Sequence, residues 1–508
     1  MTPLDRCIPC PRSFTGVVTA VTTIALVSGC AVGPNFRRPA APAVDSYARP
    51  SLAPTTVSTD VPGGEAQRFA QGSDIAHDWW TLFESPELNA LVEEALRASP
   101  TLVAAERALR QATELVAAQR GLFFPTVQGS FSPSYQRVSS TLSPPLSSPQ
   151  FTYSLFTAQL SLAYTPDVFG GNRRQVEALL GQAGVQRFQL GAAYLALTSS
   201  VVAAAVQEAS LRGQIAAAEE IIAIVDRSLG LVRRQFELGA VAGLDVAAQE
   251  AALAQAQQTL PPLRKQLEQN RNLLTTLVGR LPSDDPRETF ELASLRLPRE
   301  LPVGVPSRLV EQRLDVRVAE ETLRAASAQV GVAVASRLPQ FTITGTYGGM
   351  STSVSQMFAN GNPFWTIIGS VAQSIFDAGT LWHRQRAAEA AFEQAAAQYR
   401  STVLAAFQGV ADALYAVQAD AESLKAAVAA ERATKASLDI TVRAQQLGAV
   451  NYLALLSAQQ AYQQALLARV QAQASRLADT AVLFHALGGG WWNRPAPAAQ
   501  TSEGAPER

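Results

Sequence analysis

Leu238-Gly239-Ala240-Val241 and, 209 residues later, Leu447-Gly448-Ala449-Val450 are the same turn, each following a long helical stretch without proline. The same offset places Gly170 on Gly379, Arg234 on Arg443 and Gly279 on Gly488. Upstream the offset is 214: Ala98-Ser99-Pro100-Thr101-Leu102-Val103-Ala104-Ala105-Glu106 aligns with Gln312-Arg313-Leu314-Asp315-Val316-Arg317-Val318-Ala319-Glu320, and Pro125 falls on Pro339. Chance likeness between Ala-rich helices does not match glycines and prolines at boundaries. One fold unit is present twice.

Each half parses alike. A helix (Leu88 to Arg120; Leu309 to Arg337) leads to a proline and two short segments, then a long helix (Asn172 to Glu237; Leu381 to Gln446). The Leu-Gly-Ala-Val turn and a last helix (Leu244 to Val278; Leu453 to Leu487) follow. The long helices, at 1.5 Å per residue, extend about 100 Å. Such length without Pro or runs of Gly points to coiled-coil-like packing.

The segments between the helices have a period of two. Phe341, Ile343, Gly345 and Tyr347 alternate with Gln340, Thr342, Thr344 and Thr346. Ala158 to Tyr164 and Thr126 to Ser134 repeat the pattern, and Phe364 to Phe376 does so less cleanly. Polar loops, Ser139 to Gln150 and Ser351 to Asn362, join them into two hairpins with strands of membrane-spanning length. Four strands cannot close a barrel, and open edges are not tolerated in lipid. If the hairpins enter a membrane, copies must share one barrel: two make eight strands and three make twelve. A soluble pair of helix-packed hairpins is the alternative.

Composition narrows the function. Of 508 residues, 41 Lys+Arg against 42 Asp+Glu leave a net charge of -1, which excludes nucleic-acid binding by phosphate neutralisation. Charged residues are only 16%, as suits long helices packed through small side chains. Cys7, Cys10 and Cys30 all lie in the first thirty residues, so no disulfide staples the body, and Cys7/Cys10 lack a second pair for zinc. Gly16 to Ser28 is an apolar run after Arg6 and Arg12, a signal-peptide layout too short to span a bilayer. It ends Ser28-Gly29-Cys30, which resembles the bacterial lipoprotein cleavage box. That likeness makes Cys30 the predicted anchor, carrying diacylglyceryl and N-acyl chains, palmitate among them; an ordinary signal peptide with a coincidental cysteine is the alternative. Ala31, in place of an inner-membrane retention aspartate, implies outer-membrane sorting by analogy.

Ala31 to about Gln71 reads as a Pro-, Ala-, Ser- and Thr-rich linker, and the body begins at Asp78-Trp79-Trp80. Gly191 to Gln207 is uncharged but reads as a buried helix face. The expected divisions are a signal peptide (1–29), a lipidated linker (30–77), two repeats (78–290 and 291–492) and a tail (493–508). His77, His383 and His485 are scattered, and Asp284-Asp285 sits in a Pro-rich turn. No H-E-x-x-H, G-x-S-x-G or P-loop pattern occurs, so no active site, metal or cofactor is expected.

Asp78-Trp79-Trp80-Thr81-Leu82-Phe83 with Pro86-Glu87-Leu88-Asn89-Ala90-Leu91, the stretch Leu309 to Glu320, and Ala486-Leu487-Gly488-Gly489-Gly490-Trp491 carry a resemblance. They are similar to motifs of the outer membrane factor family, the TolC-like, NodT-type lipoprotein channels of Gram-negative efflux systems. Leu314 departs from the family's usual proline, a first-turn residue. The resemblance implies a mostly α fold with β hairpins: a TolC-like α-barrel plus a membrane β-barrel completed by trimerisation, with four strands per chain. It implies passive conduction of small molecules, a homotrimer among outer membrane lipids, a periplasmic adaptor and an inner-membrane pump of RND type. The docking tips would be Leu238, Gly239, Ala240 and Leu447, Gly448, Ala449. Valine replaces the aspartate that some relatives carry in the second tip, so Val450 and Tyr452 are the apolar aperture candidates. Asp245 is the remaining carboxylate, better read as a helix first-turn residue. A protein-secretion conduit and a lipid-anchored coiled-coil scaffold are the rival readings.

Overall fold

The computed structural model describes residues 31–44, 46–47, 53–137, 152–284 and 288–494. Cys7, Cys10, Cys30, the apolar run Gly16 to Ser28, the loop Ser139 to Gln150, Asp285 and the tail beyond Arg494 lie outside the described residues.

The chain forms two compact units, each drawing on both repeats. The first takes in Leu109–Gln186, Ala319–Tyr399 and the described part of Met1–Arg38; the second takes in the described parts of Pro39–Ala108, Arg187–Val318 and Arg400–Arg508. In chain order the elements are β1 (Arg68–Gln71), α1 (Pro86–Ala98), α2 (Pro100–Gly121), β2 (Thr126–Arg137), β3 (Thr152–Tyr164), α3 (Gly171–Glu237), α4 (Gly243–Gln258) and α5 (Leu260–Leu277). Then follow β4 (Glu300–Val303), α6 (Pro306–Gln312), α7 (Leu314–Ala335), β5 (Gln340–Ser351), β6 (Pro363–Ala372), α8 (Thr380–Gln446) and α9 (Tyr452–Ala486). The two long helices have 67 residues each, as the repeat requires.

Three expected helices are broken. Ser99 and Arg313 both leave the helical region, with ψ of 117° and 121°. Ser99 precedes Pro100, which disfavours helical backbone before it. Arg313 precedes Leu314, so its break has a tertiary cause: the Arg313 guanidinium donates to the Ala486 carbonyl at 2.7 Å and pairs with Asp315. The third break separates α4 from α5 at Thr259, where Pro261 enters the first turn of α5 without an N–H to donate.

The first unit carries an antiparallel sheet in the order β2-β3-β5-β6. Beneath it a small core of Val116, Val176 and Ala183 joins α2 to α3. In the second unit, Ile221, Val225 and Val232 of α3 pack with Ala256 of α4, Leu438 of α8, and Tyr452, Leu455, Tyr462 and Leu466 of α9. α3 holds a stretch long and apolar enough to cross a membrane by composition alone. Val201, Val202, Ala204, Ala205 and Val206 within it are buried against protein, matching the helix-face reading.

Part of the expected linker is folded onto the second unit. β1 pairs with β4 in parallel, Arg68 opposite Glu300 through Gln71 opposite Val303. Arg476, with 0% of its surface exposed, donates to the Gly63 carbonyl at 2.9 Å, to Thr56 Oγ1 at 3.0 Å and to the Glu65 carbonyl. Gln67 Nε2 donates to the Pro298 carbonyl and to Thr480 Oγ1, both at 3.1 Å. A strap of residues 56–71 is thereby tied to α9.

Candidate functional site

The sheet in the first unit sorts its side chains by chemistry. Its register puts Val127 beside Leu162, Leu162 beside Gly345 and Gly345 beside Ile367; one step along, Leu160 meets Tyr347, which meets Trp365. These residues share one face because side chains alternate along a strand. The large ones are exposed, Trp365 at 70%. The opposite face aligns Gln128, Ser161, Thr346 and Thr366, and the two threonine hydroxyls hydrogen-bond at 2.6 Å. An exposed, continuous apolar face is stable against lipid and a polar face against water. Among the described residues neither β2 nor β6 has a strand partner on its outer edge.

Apolar exposure continues below the sheet. Ile375 and Phe376, just after β6, are 100% and 90% exposed, and Leu122 and Phe124, just before β2, are also exposed. A cavity of about 630 Å³ is lined by Leu122 and Phe124 together with Pro166, Phe169, Pro339 and Phe341, among others.

The two glycine turns of the second unit have one geometry. Gly239 donates to the Phe236 carbonyl and Ala240 to Gln235, while Gly448 donates to Gln445 and Ala449 to Ala444. This is the Schellman closure of a helix, and its left-handed residue has φ of 74° at Gly239 and 70° at Gly448. A Cβ added at either glycine would meet nothing within 4 Å, and Leu238 and Leu447 beside them are highly exposed. Gln445 Nε2 donates to Gln235 Oε1 at 3.1 Å, linking the two turns.

The aperture candidates separate. Val450 is exposed at the second turn, whereas Tyr452 is 8% exposed and packs inside the core that joins α3, α4, α8 and α9. Burial, then the charge of Asp245, pushes the Tyr452 hydroxyl pKa upward. Asp245 accepts the Ala242 N–H at 3.1 Å and so closes the first turn of α4. Asn451 caps α9 by accepting the Ala454 N–H at 3.0 Å. The residues 56–71 strap was missed as an element. Its sequence signal is a polar stripe, Gln473, Arg476 and Thr480, spaced for one face of α9 and fully or nearly buried.

The three motifs behind the family resemblance meet in the second unit. Trp79 stacks on Phe484 with ring centroids 5.4 Å apart, and Trp491 Nε1 donates to the Gln312 carbonyl at 2.6 Å. A Cβ on Gly488 would lie 2.8 Å from that carbonyl, and one on Gly490 2.5 Å from the Ala76 carbonyl. Leu314 is buried against Gly191, where bulk rather than proline's preset backbone is used. These contacts tie the segments around Trp79, Gln312 and Trp491 to one another. Among the described residues no group of three or more His, Cys, Asp or Glu could hold a metal ion.

A sheet apolar on one face and polar on the other, with no strand partner at either edge among the described residues, fits the class of membrane channels. The sequence pattern of the outer membrane efflux protein family matches residues 91–280 and 305–489, and the chain belongs to that family. It is 31% identical over 443 residues to the pyoverdine export outer membrane protein OpmQ of Pseudomonas putida, covering 86% of this chain and 94% of the relative. It is 28% identical to the toluene efflux pump outer membrane protein TtgC of Pseudomonas putida, covering 95% and 97%. Among solved structures, the outer-membrane channel OprN superposes with a TM-score of 0.80 at 26% identity over 91% of this chain and 100% of that one. The open-state outer membrane channel MtrE of Neisseria gonorrhoeae does so at 0.75 and 25%, over 91% and 99%. The protein is an efflux channel of the Gram-negative outer membrane, without enzymatic chemistry.

Proposed function

We propose that three copies of this chain form the outer membrane conduit of a tripartite efflux system. An inner-membrane pump of RND type loads small molecules, a periplasmic adaptor docks on the Leu238-Gly239-Ala240 and Leu447-Gly448-Ala449 turns, and docking widens an aperture near Val450. Conduction is then passive. Cys30 carries the diacylglyceryl and N-acyl chains that anchor each copy, and the body comprises the repeats 78–290 and 291–492 between the linker and the tail.

The observation that carries this reading is the four-stranded sheet, apolar on one face and open at both edges. Two copies would make an eight-stranded barrel, whose interior is filled by its own side chains; twelve strands leave a lumen. The bare glycine turns support docking because, among the described residues, nothing lies within 4 Å of a Cβ added there, so a partner backbone has room to approach.

Electron microscopy of the detergent-extracted, lipidated protein tests the assembly. A hollow three-fold particle with a membrane ring is expected, followed by restored dye efflux when the gene complements a deletion strain. A monomer or a solid rod would overturn it.

A further inference from the structure

The duplication specifies how the open edges meet. In the β2–β3 ladder the paired residue numbers always add to 289, and in the β5–β6 ladder to 712. The difference is 423, the sum of the two repeat offsets, 214 for β2 onto β5 and 209 for β3 onto β6. Offsets read from Pro125/Pro339 and Gly170/Gly379, outside the strands, thus reproduce the second hairpin's register to the residue. The two hairpins are equivalent objects.

The contact between them is β3 with β5, whose pairs add to 507. In a ring of such hairpins, the contact from the second hairpin to the next copy's first is the equivalent one. Carrying β3 onto β6 by adding 209, and β5 onto β2 by subtracting 214, turns 507 into 502. We infer that β6 of one copy pairs antiparallel with β2 of a second copy in the register whose residue numbers add to 502. This rests on the shared-barrel reading and specifies its partner surface.

Chemistry at the edge agrees. The register sets Val371 opposite the partner's Phe131 and Ile367 opposite the partner's Tyr135, all on the apolar face. It sets Ser370 opposite the partner's Ser132 and Ala372 opposite the partner's Ser130 on the polar face. An odd sum would turn one strand's apolar face to the lumen. Sums of 500 and 504 would not, so the faces alone do not choose among even registers; the duplication does.

The same mapping accounts for the exposed residues below the sheet. Pro166 lines the cavity together with Ser336 and Pro339. Its counterpart is Ile375, and theirs are the partner's Leu122 and Pro125. Ile375 is fully exposed and Leu122 more than half so, and the pairing buries both.

Cysteine pairs read the register directly, because the chain has no cysteine after Cys30. Ala372→Cys is combined in turn with Gln128→Cys, Ser130→Cys and Ser132→Cys in the full lipidated protein, and the membranes are oxidised. Residues directly opposite lie about 4.5–5.5 Å apart, within disulfide reach, while those two positions away lie about 7–8 Å apart. The Ser130 pair is expected to give covalent trimers on non-reducing gels, at least about fivefold above either neighbour. A maximum at Gln128 or Ser132 would overturn the register and leave the shared barrel standing. No cross-link from any pair, in a protein that runs as a trimer by native mass, would overturn the β6–β2 contact. A monomer by native mass would remove the shared barrel and the inference together.

Discussion

Replacing Arg476 with methionine keeps the length of the side chain and removes the guanidinium that ties the strap to α9. Two of its donors reach Gly63, Thr56 and Glu65, and two of those three acceptors are backbone carbonyls that would lose a buried partner. A hydrogen bond to a charged group contributes about 1.5–3 kcal/mol, but three sharing one residue are not additive. Buried neutral acceptors left unpaired cost about 1–3 kcal/mol, and with two carbonyls and a hydroxyl affected about 3 kcal/mol is the expected size here. α9 keeps its own apolar anchors, Leu477, Leu483 and Phe484, so the loss falls on the strap. At about 1.4 kcal/mol per power of ten, strap amides should exchange about a hundred times faster. The reporters are Thr56, Thr59 and Gln67, whose N–H groups are bonded within the strap. Hydrogen exchange of a peptide covering 53–72 measures this, with peptides from β2 and β3 as the unchanged reference. Arg476→Lys, which loses the planar fork but keeps the charge, should fall between. Unchanged exchange in the strap of Arg476→Met, or equal acceleration in the sheet, would refute the reasoning.

The glycine turns give a second test: Gly448→Ala and Gly448→Leu should each cost about 1–2 kcal/mol for the left-handed backbone, since an added Cβ meets nothing. If a partner docks there, dye efflux should fall much further with leucine than with alanine at matched thermal stability; equal efflux would reduce the turn to a cap. On the sheet, Ile367→Arg should cost up to about 2–4 kcal/mol in the membrane, depending on depth, and lower the yield of assembled protein, while Thr366→Arg on the polar face is tolerated. Similar yields of the two would contradict the assignment of faces. Asp420 is pushed up to about 7 by burial, then by its hydrogen bond to and the charge of Asp479, with Arg476 opposing. Its folded pKa exceeds its unfolded value near 4, so its contribution is fully present below about pH 4 and is lost as pH rises through about 7. Asp420→Asn should flatten the dependence of the melting temperature on pH in that window and raise it at pH 8; an unchanged slope would assign the dependence elsewhere.

The expected strand starts at Thr126 and Gln340 and the helix ends at Glu237 and Gln446 coincide with those of the structure. Each is written locally: a change of hydrophobic period, or a glycine that alone accepts the turn's backbone at little cost. The breaks at Ser99 and Thr259 are also legible in the sequence, at Pro100 and Pro261. The break at Arg313 was not, because no proline follows and its cause is the carbonyl of Ala486.

Tyr452 illustrates the same limit at the candidate aperture. Its place beside the glycine turn suggested a lining residue, but helix phase turns it into the core of α9 and its neighbours. The strap is the larger case. Thr56 and Arg476 are 420 residues apart, and β1 meets β4 across more than 200. No local period encodes such pairs, since the strap's backbone is satisfied by whichever buried donors the assembled helices present. What the sequence alone determined was the duplication, the alternation of helix and hairpin, and, through two offsets, the spacing between strands. Only the tertiary structure decided where the chain's polar groups find partners, because that depends on which surfaces the long helices bring within hydrogen-bonding distance.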